Sequence, residues 1–331
     1  MRFPKLLEKG DTIGVCAPSS GVSEDFGQAR MDNAHVKMRK FGYESIETPS
    51  VRRKVNYVSA DAKTRAHEFM SLFENPDVAA IIPPYGGEYL MEMLPYLDYS
   101  RLASLPPKWI SGYSDITGLT FPLTLICDFA TIHGTQFIDF GCDNVSKYDL
   151  KVFEAMSNKE ITQKSSDVYS DGTVKNGKTV WKSLDGKESH TFQGRMIGGC
   201  MNVLRILIGS RFAPVLSFLE KYKNDGFIWA LESNVSEMRE GDVYRTFWQM
   251  NECGWFKYCT GILFGRPEND PDTDDFITLE ALDILPACLN IPVIYDADIG
   301  HTHPRIQIIN GAYGKVEYND GKAVITQQLK S

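Results

Sequence analysis

Three side chains with the chemistry of a hydrolytic site occur far apart in the chain. Ser114 lies in ISGYSDITGL, Glu232 ends the apolar run FIWALE, and His301 follows IPVIYDADIG. A serine hydroxyl becomes a nucleophile when a histidine takes its proton, and a carboxylate holds that histidine in the required tautomer. The order serine, acid, histidine is that of the α/β-hydrolase triad, although Ile116 replaces the second glycine of G-x-S-x-G. The three residues together predict acyl transfer through a serine nucleophile.

Acyl transfer also requires hydrogen-bond donors for the oxyanion that develops on the carbonyl oxygen. The backbone N–H of Asp115, next to Ser114, is one candidate donor. The segment PPYGG supplies two more at the end of a neighbouring predicted strand, the N–H groups of Gly86 and Gly87. We therefore predict a backbone oxyanion hole formed by these three residues.

Each residue also has a simpler explanation. Serine is common at helix N-caps, so Ser114 could serve only as a cap. Glu232 could be a surface carboxylate that follows a strand. His301 lies close to a second histidine, and a metal site would draw on the ligands of DADIGHTH, namely Asp296, Asp298, His301 and His303. An H-x-H pair alone is a weak signal, because metal sites need three or four ligands in a fixed arrangement.

The elements that position these residues follow an α/β pattern. Over the first 135 residues, apolar strand-like runs alternate with helix-like segments such as 25–40 and 59–76. This alternation predicts a parallel sheet with helices on both faces. Sites in such sheets form where the carboxyl ends of strands meet loops, and the three candidate residues all follow predicted strands.

Residues 141–193 interrupt this alternation. They are polar and rich in turn signals, with Asp171-Gly172, Asn176-Gly177 and Asp185-Gly186. We predict an N-terminal α/β nucleophile domain at 1–140, a linker and inserted loop at 141–193, and a C-terminal domain at 194–331 that carries acid and base. GRMIGGCMNVLRILIG and residues around 276–289 are predicted as helices. The tail is predicted to be antiparallel, with a turn at Asp320-Gly321.

Composition excludes several classes of function. The net charge of −8 and the pI near 5.4 argue against a nucleic-acid partner, because phosphate binding needs a basic face. The N-terminus has no signal-peptide pattern, and no stretch is apolar enough for a membrane span. Seven cysteines without close pairing predict neither disulfides nor zinc but a reducing cytoplasm. Five are expected in the core: Cys16, Cys127, Cys200, Cys259 and Cys288.

The motifs, taken in order, resemble those of a known family. PPYGGEYLMEMLPYLDY, ISGYSDITGL, IHG, GRMIGGCMNVL, WALESNVSE and IPVIYDADIGHTHP occur as they do in LD-carboxypeptidases and microcin C immunity serine peptidases. The resemblance covers nearly the whole chain. It implies a flavodoxin-like N-terminal domain joined to a smaller mixed α/β C-terminal domain. It further implies a triad of nucleophile Ser114, base His301 and orienting acid Glu232, with no cofactor or metal, in a cytoplasmic homodimer.

One residue departs from the family pattern, and another bears on the branch of the family. Cys200 stands where many members have asparagine, which puts a polar role at that position in doubt. Trp181 lies in the long polar segment and resembles the aromatic loop residue of the microcin immunity branch, whose substrate is a peptidyl- or aminoacyl-adenylate conjugate. Trp181, Tyr85 and Tyr113 are accordingly expected to contact substrate, and the activity would confer antibiotic self-immunity.

Three alternatives remain open from the sequence. Trp181 could equally be an apolar anchor for its loop. The enzyme could instead be a murein tetrapeptide LD-carboxypeptidase that releases D-alanine. A non-catalytic small-molecule binding protein on the same scaffold is a third possibility, since fold does not fix function. All of these alternatives predict a small-molecule, peptide or peptide-nucleotide partner rather than nucleic acid or membrane.

Overall fold

The computed structural model describes residues 1–170, 176–234, 238, 240–267, 282, 285 and 289–330. Contacts divide the chain into two compact units, Met1–Lys159 (unit 1) and Glu160–Lys330 (unit 2). This division falls inside the stretch 141–193 that the sequence predicts as linker and inserted loop. The Asp171-Gly172 turn and Cys288 lie outside the described residues, as does nearly all of the helix predicted around 276–289.

Unit 1 contains the predicted parallel sheet. Its strands are β1 Thr12–Val15, β2 Glu44–Glu47, β3 Val78–Ile81, β4 Trp109–Ile110 and β5 Thr131–His133. The first four are adjacent in the order β2-β1-β3-β4, all parallel. A parallel bridge between Ser111 and Ile132 then places β5 beside β4. The resulting order 2-1-3-4-5 is that of flavodoxin-like sheets, which confirms the predicted fold class.

Helices cover this sheet, and their apolar spacing explains why they form. The helix from Asp25 buries Met31, Ala34 and Met38, which recur at helical spacing along one face. The helices of unit 1 are α1 Asp25–Lys40, α2 Ala62–Glu74, α3 Tyr99–Ser104, α4 Thr117–Cys127 and α5 Lys151–Ser157. Three 3₁₀ helices complete the unit, at Leu90–Tyr96, Ser114–Ile116 and Phe137–Gly141.

Unit 2 is built on a mixed sheet of eight strands. The strands of the unit are β6 Glu160–Lys164, β7 Val168–Ser170, β8 Asn176–Lys178, β9 Lys182–Ser183, β10 Ser189–Cys200, β11 Phe227–Glu232, β12 Cys259–Gly265, β13 Val293–Ala297, β14 Ile308–Asn310, β15 Tyr313–Asn319 and β16 Lys322–Gln328. The sheet order is β6-β16-β15-β10-β11-β12-β13-β9, and β7 pairs with β8 in a separate ribbon. The C-terminal sheet is thus larger than the N-terminal one, not smaller, because β6 and β9 from the predicted linker join it.

The prediction of a helix over GRMIGGCMNVLRILIG is wrong for its first half. Residues up to Cys200 belong to β10, and the helix begins only at Met201. A methyl group added at Gly198 would lie 1.9 Å from the carbonyl oxygen of Ala230 on β11, so this glycine permits the close approach of two strands. Three helices of unit 2 lie wholly within the described residues, α6 Met201–Leu207, α7 Val215–Lys221 and α8 Glu240–Glu252.

The C-terminal tail forms the antiparallel hairpin that the sequence predicts. β15 and β16 pair antiparallel from Tyr313↔Gln328 to Asn319↔Lys322. Asp320 and Gly321 both have positive φ, 43° and 78°, as a two-residue hairpin turn requires. The described cysteines are free thiols. None of the described helices combines the length and the apolar character needed to cross a membrane.

Candidate active site

Ser114 occupies a strained turn between β4 and α4. Its φ of 58° lies in the left-handed region, which side chains other than glycine seldom adopt. It is the first residue of the 3₁₀ helix, whose N-cap position belongs to Tyr113, so the simple N-cap explanation of Ser114 does not hold. Gly112 is required by packing, since a methyl group there would lie 2.6 Å from Cγ2 of Ile116. A strained serine at a strand-to-helix turn is the geometry of a nucleophile elbow.

Gly86 lies directly against this turn. A methyl group at Gly86 would be 2.9 Å from Cβ and 3.0 Å from Oγ of Ser114, and 3.1 Å from the backbone nitrogen of Asp115. The structure therefore brings together two of the three residues predicted for the oxyanion hole, beside the predicted nucleophile. Gly87 has a φ of 152° and instead faces Ser19, whose Oγ would lie 2.3 Å from an added methyl group.

Glu232 and His301 form a buried pair in unit 2. Nδ1 of His301 lies 2.8 Å from Oε2 of Glu232, and their side chains are 11% and 1% exposed. Burial excludes the explanation of Glu232 as a surface carboxylate. With the Nδ1–H donated to the carboxylate, Nε2 is the basic nitrogen of the ring, as a general base requires.

Two glycines make room for the Glu232 carboxylate. A methyl group at Gly300, whose φ is 96°, would lie 2.6 Å from Oε2 of Glu232. One at Gly265, at the end of β12, would lie 2.7 Å from Cβ of the same residue. The acid at the end of β11 is thus enclosed by the last residue of β12 and by the loop that follows β13.

Arg305 supports the loop that carries His301. Its fully buried guanidinium donates from Nε to the carbonyl of Gly300 at 3.0 Å. Nη2 of Arg305 lies 3.0 Å from Nε2 of His303, which therefore accepts this hydrogen bond. The second histidine of the H-x-H pair is engaged with a cation, which disfavours it as a metal ligand. Among the described residues, no group of three or more His, Cys, Asp or Glu side chains could hold a metal ion.

Trp181 is a core residue of unit 2. Its side chain is fully buried in an apolar cluster with Ile294, Ile306 and Ile325. Its indole Nε1–H donates to Oδ2 of Asp298 at 3.2 Å. Of the two alternatives for this tryptophan, the structure favours the anchor, because a buried indole presents no face to a nucleotide base.

Asp298 connects several segments around that anchor. Its carboxylate also accepts hydrogen bonds from the backbone N–H of Ser166 at 2.7 Å and from Nη1 of Arg266 at 3.1 Å. It is fully buried, and its charge is balanced by the guanidinium of Arg266. This aspartate, considered above as a metal ligand, therefore ties Ser166 and Trp181 to the loop before His301.

Of the two tyrosines predicted to contact substrate, Tyr113 directly precedes Ser114, and Tyr85 directly precedes Gly86, which lies against the same turn. The Tyr85 hydroxyl donates to the carbonyl of Gly21 at 2.8 Å and so holds the loop after β1. The carbonyl of Tyr113 accepts a hydrogen bond from Nε2 of buried Gln136 at 2.8 Å, which fixes the residue before Ser114. Both contacts are structural, and substrate contact by either side chain stays a prediction.

Cys200 is the cross-strand neighbour of Glu232. It ends β10 in register with Glu232 at the end of β11, and it is buried. Burial and then the negative charge of Glu232 raise the pKa of the Cys200 thiol well above its usual range. The residue is a neutral thiol next to the predicted acid rather than a thiolate nucleophile.

The predicted triad is divided between the two units, with Ser114 in unit 1 and the Glu232–His301 pair in unit 2. Several supporting residues escaped the sequence analysis, among them Ser19, Arg65 and Arg305. Gly300 had a usable signal, because a glycine directly before a candidate histidine suggests close backbone approach. These features define a class of two-unit α/β proteins, with a strained serine turn in one unit and a buried acid–histidine pair in the other.

Comparison with known proteins identifies the family within that class. The LD-carboxypeptidase N-terminal domain matches residues 13–134, and the LD-carboxypeptidase C-terminal domain matches residues 193–316. The chain belongs to the LD-carboxypeptidase family of peptidases.

Individual relatives differ in how much of the chain they match. The microcin C7 self-immunity protein of Escherichia coli is 25% identical, over 98% of this chain and 96% of its own. The murein tetrapeptide carboxypeptidase of Pseudomonas aeruginosa is 26% identical, over 32% of this chain and 34% of its own. The crystal structure of a protein like the immunity protein, from Bacillus anthracis, has a TM-score of 0.85 and 25% identity, covering 99% of each chain.

Proposed function

We propose that this protein is a serine peptidase in which Ser114, His301 and Glu232 act as nucleophile, general base and orienting acid. The observation that carries the proposal is the 2.8 Å contact between Nδ1 of His301 and Oε2 of buried Glu232. A carboxylate in this position fixes the histidine tautomer and stabilises the imidazolium that forms during proton transfer. The left-handed turn at Ser114 supports the proposal independently.

The reaction proceeds in two halves. His301 Nε2 takes the proton of Ser114 as Oγ attacks the carbonyl carbon of the scissile amide, and the tetrahedral intermediate forms. The same proton passes to the leaving nitrogen as the C–N bond breaks, which leaves an acyl-serine. Water, deprotonated by His301, then hydrolyses the acyl-serine. The N–H of Asp115 and the backbone of Gly86 lie next to Ser114 and would stabilise the oxyanion in both halves.

For the substrate, we propose the amide bond of a peptidyl- or aminoacyl-adenylate conjugate. The support is the extent of similarity: the microcin C7 self-immunity protein matches 98% of this chain, including the segment 141–193. Trp181 does not contribute to this argument, because it is buried in the core of unit 2. Cleavage of such a conjugate would confer self-immunity against it.

A murein tetrapeptide carboxypeptidase is the second candidate. The observation in its favour is the match to the murein tetrapeptide carboxypeptidase of Pseudomonas aeruginosa, at 26% identity. The same triad would release the terminal D-alanine from an L,D-peptide bond. Both candidates use one mechanism and differ only in the groups that flank the scissile amide.

The deciding experiment offers the purified protein an aspartyl-adenylate conjugate and a murein tetrapeptide, with products detected by mass spectrometry. We expect cleavage of the conjugate, and its loss in Ser114→Ala. Ser104→Ala, a change at an exposed serine in α3, is the matched control and should cleave normally. Release of D-alanine without cleavage of the conjugate would establish the second candidate, and binding without any cleavage would indicate a non-catalytic protein.

A further inference from the structure

We propose that Asp115 and Arg65 form a positioning pair that holds the loops around Ser114 in their reactive arrangement. The inference rests on the proposed function, since it concerns how the Ser114 turn is held, and it assigns a role to two charged side chains outside the triad. The Asp115 backbone is a candidate oxyanion donor, whereas the role proposed here belongs to its carboxylate.

The Asp115 carboxylate joins three loops at the carboxyl edge of the unit 1 sheet. Its Oδ2 accepts a hydrogen bond from the Ser19 hydroxyl at 2.5 Å, in the loop that follows β1. The same oxygen accepts from the backbone N–H of Leu90 at 3.0 Å, in the segment that follows β3. Asp115 itself follows β4 and is only 5% exposed. One buried carboxylate therefore links the ends of three adjacent strands.

Arg65 of α2 contacts two of these loops, the one after β1 and the one after β3. It is 1% exposed, and its Nη1 donates to the carbonyl of Pro18 at 2.8 Å and to that of Tyr89 at 3.0 Å. These carbonyls belong to the residues directly before Ser19 and Leu90, which Asp115 binds. In the peptide unit between Tyr89 and Leu90, the carbonyl thus contacts Arg65 and the N–H contacts Asp115.

These contacts converge on the strained serine. Ser114 precedes Asp115 and has the left-handed φ of 58°, which costs free energy that neighbouring contacts must offset. The loop of Ser19 also contacts Gly86, which lies against the Ser114 turn: the N–H of Ser20 donates to the carbonyl of Gly86 at 3.2 Å. Asp115 therefore fixes the nucleophile and the Gly86 backbone relative to each other.

Burial and hydrogen-bond donors act in opposite directions on the Asp115 carboxyl, and its pKa is raised because burial is the larger influence. Burial raises the pKa of the Asp115 carboxyl, while the hydrogen bonds from Ser19 and Leu90 and the charge of Arg65 oppose that shift. Glu88 acts in the same direction as burial. Arg65 is in turn paired through Nη2 with Oε2 of Glu92 at 2.7 Å.

The test measures the nucleophile directly. A fluorophosphonate probe labels an activated serine without the contacts of a specific substrate, so its labelling rate at Ser114 reports the geometry of the turn. We expect Asp115→Ala to reduce the labelling rate and kcat by about 10- to 100-fold, with KM changed less than about twofold. Asp115→Asn and Ser19→Ala should show smaller losses of the same kind, because each retains part of the hydrogen bonding. The pH profile, set by His301, should keep its shape.

The matched control is Glu68→Gln. Glu68 is another buried carboxylate of unit 1 that accepts hydrogen bonds from two hydroxyls, those of Thr48 and Ser50 at 2.6 and 2.5 Å. Glu68→Gln is expected to lower the melting temperature of the protein without changing the rate at which the probe labels Ser114 per folded molecule. Combining Arg65→Lys with Asp115→Asn should give a loss smaller than the product of the single losses, because the two residues hold the same peptide.

Two outcomes separate the inference from the function on which it rests. Labelling of folded Asp115→Asn and Ser19→Ala at the wild-type rate would overturn the positioning role, even if Asp115→Ala failed to fold. Failure of the wild-type protein to be labelled at Ser114, with no cleavage of either substrate, would overturn the proposed function and the positioning role with it.

Discussion

His301 Nδ1 and Glu232 Oε2 lie 2.8 Å apart at the ends of two strands of unit 2, with the carboxylate 1% exposed. A buried carboxylate in this position costs desolvation free energy, which its charge-assisted hydrogen bond to histidine helps to offset. The pair has a plain structural consequence, since residues 232 and 301 fix each other's orientation. Its chemical consequence is tested by the first prediction.

Glu232→Gln should reduce kcat by about 10²- to 10⁴-fold, because the amide keeps the shape of the acid but does not stabilise the imidazolium. His301→Ala should cause a loss of similar or greater size. The double mutant should be little worse than the more damaged single mutant, since the two residues act as a unit. Activity of the wild-type protein should fall at low pH as His301 takes a proton. Steady-state kinetics between pH 5 and 9 test all four statements, and losses that simply multiply would contradict the assignment.

Gly300→Ala should displace the side chain of Glu232 while leaving its carboxylate chemically unchanged. The added methyl group would lie 2.6 Å from Oε2 of Glu232, so the side chain must move, and a stability loss of about 1–3 kcal/mol is expected with the loss of activity. Gly209→Ala is the matched control, because Gly209 also has a positive φ, 79°, but no heavy atom within 4 Å of the added methyl. Urea unfolding and turnover should show a stability loss in both variants and a large activity loss only in Gly300→Ala.

Trp181→Ala should act through stability. Removing a fully buried indole and its hydrogen bond to Asp298 is expected to cost about 3–5 kcal/mol. Activity per folded molecule should change equally for an adenylate conjugate and for a murein tetrapeptide. Trp248→Ala, at a tryptophan that is 53% exposed, should have little effect on thermal unfolding. A selective loss on the adenylate conjugate, without destabilisation, would restore the role of Trp181 as a nucleotide contact.

Stability in acid should depend on Glu47. Burial would raise the pKa of this carboxyl, but hydrogen bonds from His35 and Arg52 lower it to about 2 from 4.5. Since the folded pKa lies below the unfolded one, the stabilisation is complete above pH 4.5 and is lost as the pH falls towards 2. The loss should stay below about 3 kcal/mol, because solvent screens the ion pairs of this partly exposed carboxyl.

Chemical denaturation between pH 7 and pH 3 checks this prediction. Glu47→Gln should be less stable than the wild type at pH 7, and the difference should shrink in acid. Glu220→Gln is the control, because Glu220 also has a pKa lowered to about 2, by Lys223, Tyr258 and Lys257. Glu220 is exposed, so solvent screens its ion pairs. A difference between wild type and Glu47→Gln that is unaffected by pH would refute the account.

Local pattern in the sequence was sufficient for several elements and for the candidate triad. The helical spacing of apolar residues predicted α1 and α2, and the Asp320-Gly321 turn predicted the β15–β16 hairpin. Ser114, Glu232 and His301 could be proposed because each follows a predicted strand and lies in a motif of the LD-carboxypeptidase family. These features depend on residues close in sequence, whose period and turn chemistry are encoded locally.

The tertiary structure decided what depends on contacts between distant residues. The second half of β10, residues 194–200, was predicted as the start of a helix, but Gly198 lets this strand pair closely with β11. Trp181 could be a substrate contact or an apolar anchor because its sequence neighbours are polar. Its burial depends in part on Ile294 and Ile325, which lie more than a hundred residues away. Arg65 and Asp115 give no sequence signal, since their joint role depends on two peptide groups that β1, β3 and α2 bring together. Burial and cross-strand register are properties of the folded chain, and no local pattern specifies them.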